Sequence, residues 1–433
     1  MTFFKKVFKT HSNFSMESIK VSVNRTDVNL FEPTIIKAKL PRNGDLVSQM
    51  YLCFTLPAIV SDSFTRFRWL PNVGEAIIQK VTLSIGNVVV DEQCGEFMNI
   101  LNNVTLPSFR RDMYNKMVGN ISALTDPFKE QVFNSVYSDS RLRVGKIYPS
   151  AVPTLPEHRC YVPLQFWFKR FSQALPIIAL QFMDIEVTIE LRPFYQVYQL
   201  YYYPPGSNVA EYRAPQTDNP DHHFKKYAYQ DVKKYLRSDA LVDLNISLEV
   251  NYIFLDDDER NFFMYKPLEY LVEQTTRVDM YRLKEFNVVD IRLQNLVKEL
   301  FWVFRRSDAS SFNGWFDYLD KSRNIMKTAR FMFNGTNRIE DKEWQFYNYL
   351  VPFQHHTGDP TEGVFCWTFA LNPDDGLEQP SGCCNFSKID KLQLVTTLAT
   401  PSSSDYAYDL VMFATGYNIL RINGGIASLL FSK

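Results

Sequence analysis

From Asp184 to Leu191 the chain alternates strictly. Ile185, Val187, Ile189 and Leu191 face one way, while Asp184, Glu186, Thr188 and Glu190 face the other. Successive side chains of a strand point to opposite faces, so this is a half-buried strand; a helix would scatter these residues around its circumference. Ser18–Val23 repeats the alternation, and Leu46–Leu56 resumes as a strand after the turn signal Asn43-Gly44-Asp45. Ile77–Ile85 reads as a strand closed by Gly86-Asn87, Tyr161–Phe168 is apolar and aromatic, and Glu96–Asn103 and Ser108–Met117 read as short helices. An irregular stretch follows from Pro193 to about Asp243, with Tyr201-Tyr202-Tyr203-Pro204-Pro205-Gly206 and Asp218-Asn219-Pro220. A loop so long and so rich in proline is usually functional or exposed, and this one is expected to lie on an exposed surface. The strand Ser247–Leu255 stops at Asp256-Asp257-Asp258-Glu259-Arg260, which places a domain boundary over residues 256–266. Beyond it, Leu268–Gln274, Glu285–Leu293, Val297–Phe304, Thr328–Phe333, Val364–Leu371, Lys388–Leu398 and Tyr406–Phe413 read as strands, with few short helices. Two successive strand-rich halves imply two β-sandwiches, although no internal repeat is visible in the sequence.

Composition agrees. The 433 residues suit two domains better than one. The 35 Phe and 24 Tyr favour pleated, half-buried surfaces, and 22 Pro against 16 Gly rule out a fold of long helices. Lys plus Arg (47) balances Asp plus Glu (48), so the basic excess of a dedicated nucleic-acid binder is missing. Cys53, Cys94, Cys160, Cys366, Cys383 and Cys384 are sparse and lack the spacing of a secreted disulfide scaffold, so they read as free thiols. Seven N-x-S/T triplets begin at Asn13, Asn24, Asn103, Asn120, Asn245, Asn334 and Asn385; they matter only if the chain enters the secretory pathway. No signal peptide and no apolar run of membrane-spanning length is seen, so the chain reads as soluble and made in the cytosol.

Candidate chemistry is thin. There is no phosphate-cradling G-x-x-x-x-G-K-[ST] or G-x-G-x-x-G, no H-E-x-x-H, no C-x-x-C and no G-x-S-x-G. The acidic run Asp256–Glu259 could hold a divalent cation, but its spacing fits a helix cap better. His222-His223 and His355-His356 lie in loops rich in proline and aspartate and read as exposed residues rather than metal ligands. Cys383-Cys384 reads as two thiols rather than a vicinal disulfide. Lys225, Lys226, Lys233 and Lys234, interleaved with Tyr227, Tyr229 and Tyr235, could form a single-strand platform, but the neighbouring Asp218, Asp221 and Asp231 favour a solvated loop. The residues alone therefore indicate a two-domain, all-β protein with no recognisable active site and no cofactor.

Six segments, in order, resemble the double jelly-roll major capsid proteins of nucleocytoplasmic large DNA viruses, such as those of algal viruses and iridoviruses. Thr2-Phe3-Phe4-Lys5-Lys6-Val7 with Asn13-Phe14-Ser15-Met16-Glu17-Ser18-Ile19 is similar to the family's opening. Arg42-Asn43-Gly44-Asp45-Leu46 resembles its R-N-G-D-L turn. Tyr161-Val162-Pro163-Leu164 with Ala174-Leu175-Pro176-Ile177-Ile178-Ala179-Leu180-Gln181 resembles its core motif. Tyr252–Asp256 with Asp258-Glu259-Arg260 resembles the junction between its two jelly rolls. Gln379-Pro380-Ser381-Gly382 with Cys384-Asn385-Phe386-Ser387-Lys388-Ile389-Asp390, and Tyr417-Asn418-Ile419-Leu420-Arg421-Ile422, complete the series. Departures are Cys383, where a threonine is common, and Ala427-Ser428, where glycines are usual.

The resemblance implies an all-β fold of two consecutive eight-stranded jelly rolls with few short helices. The expected layout is an N-terminal arm (1–16), a first jelly roll (17–258, with a long loop near 193–243), a linker (259–266) and a second jelly roll (267–433). It implies a structural major capsid protein, not an enzyme, whose homotrimers form pseudo-hexagonal capsomers in an icosahedral virion shell. The implied partners are neighbouring capsomers, minor capsid and penton proteins and, through minor proteins, an internal membrane, with no direct nucleic-acid contact. The motif residues are expected to carry shape: Asn43-Gly44 sets a turn, Pro176 bends the chain into a core strand, Asp256 and Glu259 cap the linker, and Arg421 pairs within the second sandwich. The alternatives are a minor capsid or scaffold paralogue, or a β-sandwich glycan binder, which as a glycosidase would need two carboxylates about 5–10 Å apart in a cleft.

Overall fold

The computed structural model describes residues 13–61, 66–126, 154–204, 210–227, 240–374 and 379–431. Phe3, Phe4 and Lys5 of the arm, and Lys233 and Lys234, lie outside the described residues.

Eight strands form the frame of the first half: Phe14–Val21 (β1), Thr34–Lys39 (β2), Leu46–Leu56 (β3), Ile78–Ile85 (β4), Val88–Gln93 (β5), His158–Pro163 (β6), Ile185–Leu191 (β7) and Ser247–Leu255 (β8). They pair antiparallel in two sheets, ordered β1-β8-β3-β6 and β2-β7-β4-β5. The second half has Leu268–Leu283 (β9), Phe286–Ile291 (β10), Leu296–Arg306 (β11), Met326–Phe333 (β12), Thr336–Asn337 (β13), Val364–Thr368 (β14), Leu392–Leu398 (β15) and Tyr408–Asn423 (β16). Its sheets run β9-β16-β11-β14 and β10-β15-β12-β13. Subtracting eight from each number returns the first pair of sheets. The chain thus traces one strand permutation twice, and the fold is a double jelly roll.

Period two explains the cores. Along β7 every second residue, Ile185 to Leu191, is buried, and its neighbours are half exposed. These side chains meet Val47, Leu52 and Phe54 of the opposing sheet in one apolar core. In the second sandwich Leu300, Trp302 and Phe304 of β11 meet Phe331 and Leu394 in the same way, and Trp302 packs edge-on against Phe331 and Tyr347.

Several expectations need correction. Phe14–Met16 belong to β1, paired with Leu255, Phe254 and Ile253, so the strand begins inside the segment assigned to the arm. Asn43-Gly44-Asp45 is a passage from one sheet to the other, because β2 and β3 lie in different sheets. Gly44 is outside the positive-φ set; a Cβ there would lie 3.0 Å from Tyr252 Cβ, so the glycine serves close approach. Pro176 lies in a two-residue strand beside β3, opposite Leu46, and leads into a single 3-10 turn rather than into a core strand. The 193–243 stretch is no simple exposed loop. It contributes the strands Tyr198–Tyr202 and Glu211–Arg213 to a small sheet with Arg66–Trp69, and Phe194, Tyr198, Phe224 and Tyr227 are buried around Phe67 and Trp69. Aromatic burial outweighs the proline content there. The linker is a helix, Asp257–Tyr265, beginning two residues before the boundary assigned to it. β9 and β16 each run 16 residues, well beyond the segments expected, because side by side they satisfy each other's backbone groups along nearly their whole length.

One buried carboxylate closes an end of the second sandwich. Asp320 has no exposed side-chain surface and accepts from Tyr406 Oη (2.6 Å), Tyr408 Oη (2.7 Å), and Ser402 N (2.9 Å) and Oγ (2.7 Å). Burial alone would raise its pKa, but these donors together hold it well below the usual carboxylate range. A depressed folded pKa means the stability is present above the unfolded value, about 3.9, and is lost as pH falls toward the folded one. Asp320→Ala should cost about 3 kcal/mol at pH 7 in urea unfolding, since it orphans two buried hydroxyls, and the difference from wild type should shrink at pH 2–3.

Candidate functional site: the seam between the two sandwiches

The helix Gly95–Thr105 (α1) follows β5 directly and bridges the halves. Phe97, Ile100, Leu101 and Val104 recur at helical spacing and form one apolar stripe. That stripe packs on the outer face of the β11–β16 sheet, against Phe301, Val303, Val411 and Phe413, so this sheet is covered on both faces. Phe97 and Phe413 pack with tilted rings at 5.4 Å between centroids. The opposite side of α1 belongs to the first sandwich. Asn99 and Asn102 donate to the buried Glu75 carboxyl at 2.6 and 3.0 Å, and Tyr114 Oη donates to it as well. Burial pushes Glu75 above the usual carboxylate range. Two glycines let the helix seat: a Cβ on Gly95 would lie 1.9 Å from Glu75 O, and one on Gly358 would lie 2.3 Å from Val104 O at the helix's other end.

Charge pairs flank this apolar contact. Glu96 of α1 faces Arg305 at 3.4 Å and Arg277 at 3.5 Å, both from the second half. Glu273 accepts from Arg170 (3.2 Å) and Lys298 (3.1 Å), and Lys298 also meets Glu299 at 2.9 Å. Lys298 is only 4% exposed. Burial alone would raise Glu273, but Lys298, Arg170 and Lys169 hold it down to about 2; burial brings Lys169 down to about 8. A cavity of about 460 Å³ opens here, lined by Tyr51, Arg110, Tyr114, Lys169, Glu273 and Lys298 among others. Arg170, Glu273, Lys298 and Glu299 pair with one another here, so these charges act as a clamp. Near it, the His356 side chain is buried, with Nδ1 2.8 Å from Asp374 and Nε2 3.7 Å from Glu299. The expectation of exposed histidines fails there, and again at His222, which is buried and accepts from Gln216 N at 3.1 Å. The sequence masked both, because the covering residues come from distant segments.

The motif residues fall into several clusters. Asp45 is buried, accepts from Leu255 N at 2.8 Å and pairs with Arg260 at 3.1 Å, tying the first turn motif to the junction motif. Asp256 N-caps the junction helix and accepts from Asp257 N, while Glu259 sits in its first turn. Leu180 is buried and its carbonyl accepts from Arg42 at 2.7 Å; Gln181 is exposed beside it. Asn13, Phe14 and Asn43 are exposed. Asn385 caps a 3-10 turn through Ser387 N, Phe386 is buried, and Asp390 is exposed. Gln379 and Pro380 are exposed, and Gly382, at φ 147°, sits against Phe369 O. Arg421 pairs with Glu269, its cross-strand neighbour, at 2.7 Å. No motif residue joins the apolar contact of α1, although Pro163 and Leu164 line the cavity beside it. The seam residues were missed because only α1 carried a signal, its stripe, and a stripe does not say which surface it meets.

Glu273→Gln should destabilise the protein by about 3 kcal/mol at pH 7, because Arg170 loses its carboxylate partner and the buried Lys298 is left with Glu299 alone. Wild-type stability should fall between about pH 5 and pH 2 as Glu273 protonates, and the variant's acid limb should be flatter in chemical unfolding.

The comparisons with known proteins match this architecture half by half. A family model for the major capsid protein N-terminus matches residues 2–256, and one for the large eukaryotic DNA virus major capsid protein matches residues 259–428. The major capsid protein of Phaeocystis pouchetii virus is 29% identical over 534 aligned positions, covering 100% of this chain and 96% of that protein. That of Paramecium bursaria Chlorella virus 1 is 24% identical over 484 positions, covering 100% and 95%. Among solved structures, the PBCV-1 virus capsid quasi-atomic model aligns with a TM-score of 0.73 at 22% identity over 100% of both chains. The Faustovirus major capsid protein aligns at 0.70 and 13% identity, covering 98% of this chain and 93% of that one. With both family models matched end to end across two copies of one strand permutation, the chain belongs to the major capsid proteins of large eukaryotic DNA viruses.

Proposed function

We propose that this chain forms homotrimers whose six jelly rolls make a pseudo-hexagonal capsomer, and that these capsomers tile an icosahedral shell. The observation that carries the reading is the repeated strand permutation, which gives one chain two like-shaped building blocks. Three chains then supply six blocks, and a closed cyclic trimer acquires a near-sixfold outline that can meet six neighbours through similar contacts. Rigidity is the mechanical requirement on such a tile, and the apolar contact of α1 with the ion pairs that cross the halves supports it within each chain. The work is structural rather than catalytic. Further partners of the capsomer are minor capsid and penton proteins and, through minor proteins, an internal membrane. Synthesis takes place in the host cytoplasm and the mature site is the virion shell. Neighbouring subunits are the proposed contact for the N-terminal segment.

Light scattering on the purified protein should give three times the 50.6 kDa chain mass, about 152 kDa; a stable monomer at micromolar concentration would overturn the capsomer reading. Deleting residues 1–12 should leave the melting temperature unchanged and reduce assembly, measured as the yield of particles pelleted from an expression lysate.

A further inference from the structure

A second cavity lies between the loop ends of the two sandwiches. β3 runs from Leu46, opposite Ile253 near the junction helix, to Leu56, and β11 runs from Leu296 to Arg306, opposite Tyr408. The loops that follow both strands therefore lie at the end away from the junction helix. Three pieces meet there: the strand Arg66–Trp69 with the turn after it, the small-sheet strands Tyr198–Tyr202 and Glu211–Arg213, and the loop after β11. They border a cavity of about 380 Å³ lined by Arg68, Tyr212, Phe312, Asn313, Trp315 and Asp317 among others. The loop of the second half is fastened to the first. Gln199 Nε2 donates to Phe312 O, and Asn313 Nδ2 donates to Tyr195 O and Tyr198 O at 2.9 Å each. Trp315 Nε1 donates to Gln196 O at 2.9 Å.

The polar groups of this lining are not all used up. Asn313 is 1% exposed, and its Oδ1 accepts from nothing among the described residues. A buried amide oxygen without a donor is uncommon. Asp317, at the rim, accepts from Leu319 N at 3.3 Å and from no other described residue. Arg68 gives its Nε to Gln199 Oε1 at 2.7 Å, and among the described residues no carboxylate pairs with it. The rest of the wall is aromatic and held in place by arginines. Arg68 lies 3.7 Å over the Tyr212 ring and Arg192 4.3 Å over Trp315. Phe312 carries Arg213 at 4.7 Å and Arg306 at 5.2 Å, and Arg306 is itself locked by Asp308 at 2.6 and 2.9 Å.

We propose that this cavity binds a neutral pyranose, the terminal unit of a glycan. The orphaned Asn313 oxygen and the Asp317 carboxylate ask for donors, while Arg68 asks for an acceptor. A hydroxyl is both at once, and a sugar ring carries several side by side. An anion would answer Arg68 but meet two bare acceptors; a cation would answer the acceptors but meet Arg68. The C–H edges of a pyranose also suit the apolar wall of Tyr212, Phe312 and Trp315. The volume and the position between two domains are those of an ordinary small-molecule site. Because the wall is already braced, binding requires little ordering of side chains. The inference goes beyond the capsomer reading and does not depend on it, since every lining residue belongs to one chain.

The test is saturation-transfer NMR on the full chain with the methyl pyranosides of glucose, galactose and mannose, beside N-acetylneuraminic acid and glucose 6-sulfate as charged probes. We expect transfer to at least one neutral pyranoside. Gly314 lines the cavity, and a Cβ there meets nothing nearer than Asp317 Cβ at 3.6 Å, so Gly314→Phe should fill the space without strain at its own backbone. That variant should bind at least tenfold more weakly at an unchanged melting temperature. Should it fail to fold, Asp317→Ala decides the matter: the residue is exposed, its one hydrogen bond is long, and the same tenfold loss is expected. Silence from all three neutral pyranosides overturns the proposal, as does wild-type affinity in the variant that folds. Transfer to the charged probes alone overturns it in favour of an anion held by Arg68.

Discussion

The whole molecule turns on one helix having two different obligations. α1 must satisfy a buried carboxyl of the first sandwich with its amides and bury an apolar stripe on the second. Either obligation alone would leave it a surface helix. Together they make the outer face of the β11–β16 sheet an interior and turn two sandwiches into one rigid body. The charge pairs around it follow from that burial. Glu273 and Lys298 of the second sandwich sit where water is scarce and share their charges with Glu299 and with Arg170, and the Arg170–Glu273 pair is the one that reaches across from the first half.

The parts of the fold legible in the sequence were those whose physics is local. Ile185–Leu191 alternates because both of its environments, core and solvent, are reached by the strand itself. Asp256 was readable as a cap because a carboxylate before a helix meets the first backbone amides whatever lies further away. The six motif segments carried the family, and the family carried the double jelly roll.

What stayed hidden depends on partners far away in the chain. The 193–243 stretch looked like a loop because prolines broke its period, yet Phe194, Tyr198 and Phe224 are held by Phe67 and Trp69, more than a hundred residues earlier. Asn43-Gly44 read as the setting of a turn, but what Gly44 supplies is room beside Tyr252. His222 and His356 looked exposed because their covers are not their neighbours. The clamp of Glu273, Lys298 and Arg170 left no trace at all, since charged residues in strands ordinarily point to water.

The junction helix has a different kind of consequence. None of its nine residues is buried, although Asp45 holds Arg260. The covalent tether therefore supplies proximity, while alignment resides in α1 and the clamp. A chain severed between Asp257 and Tyr265 would keep every buried contact of the seam, so the two jelly rolls behave as a heterodimer that happens to share a backbone. Continuity of the polypeptide, in such a tile, serves stoichiometry: it guarantees one block of each kind at every place in the shell.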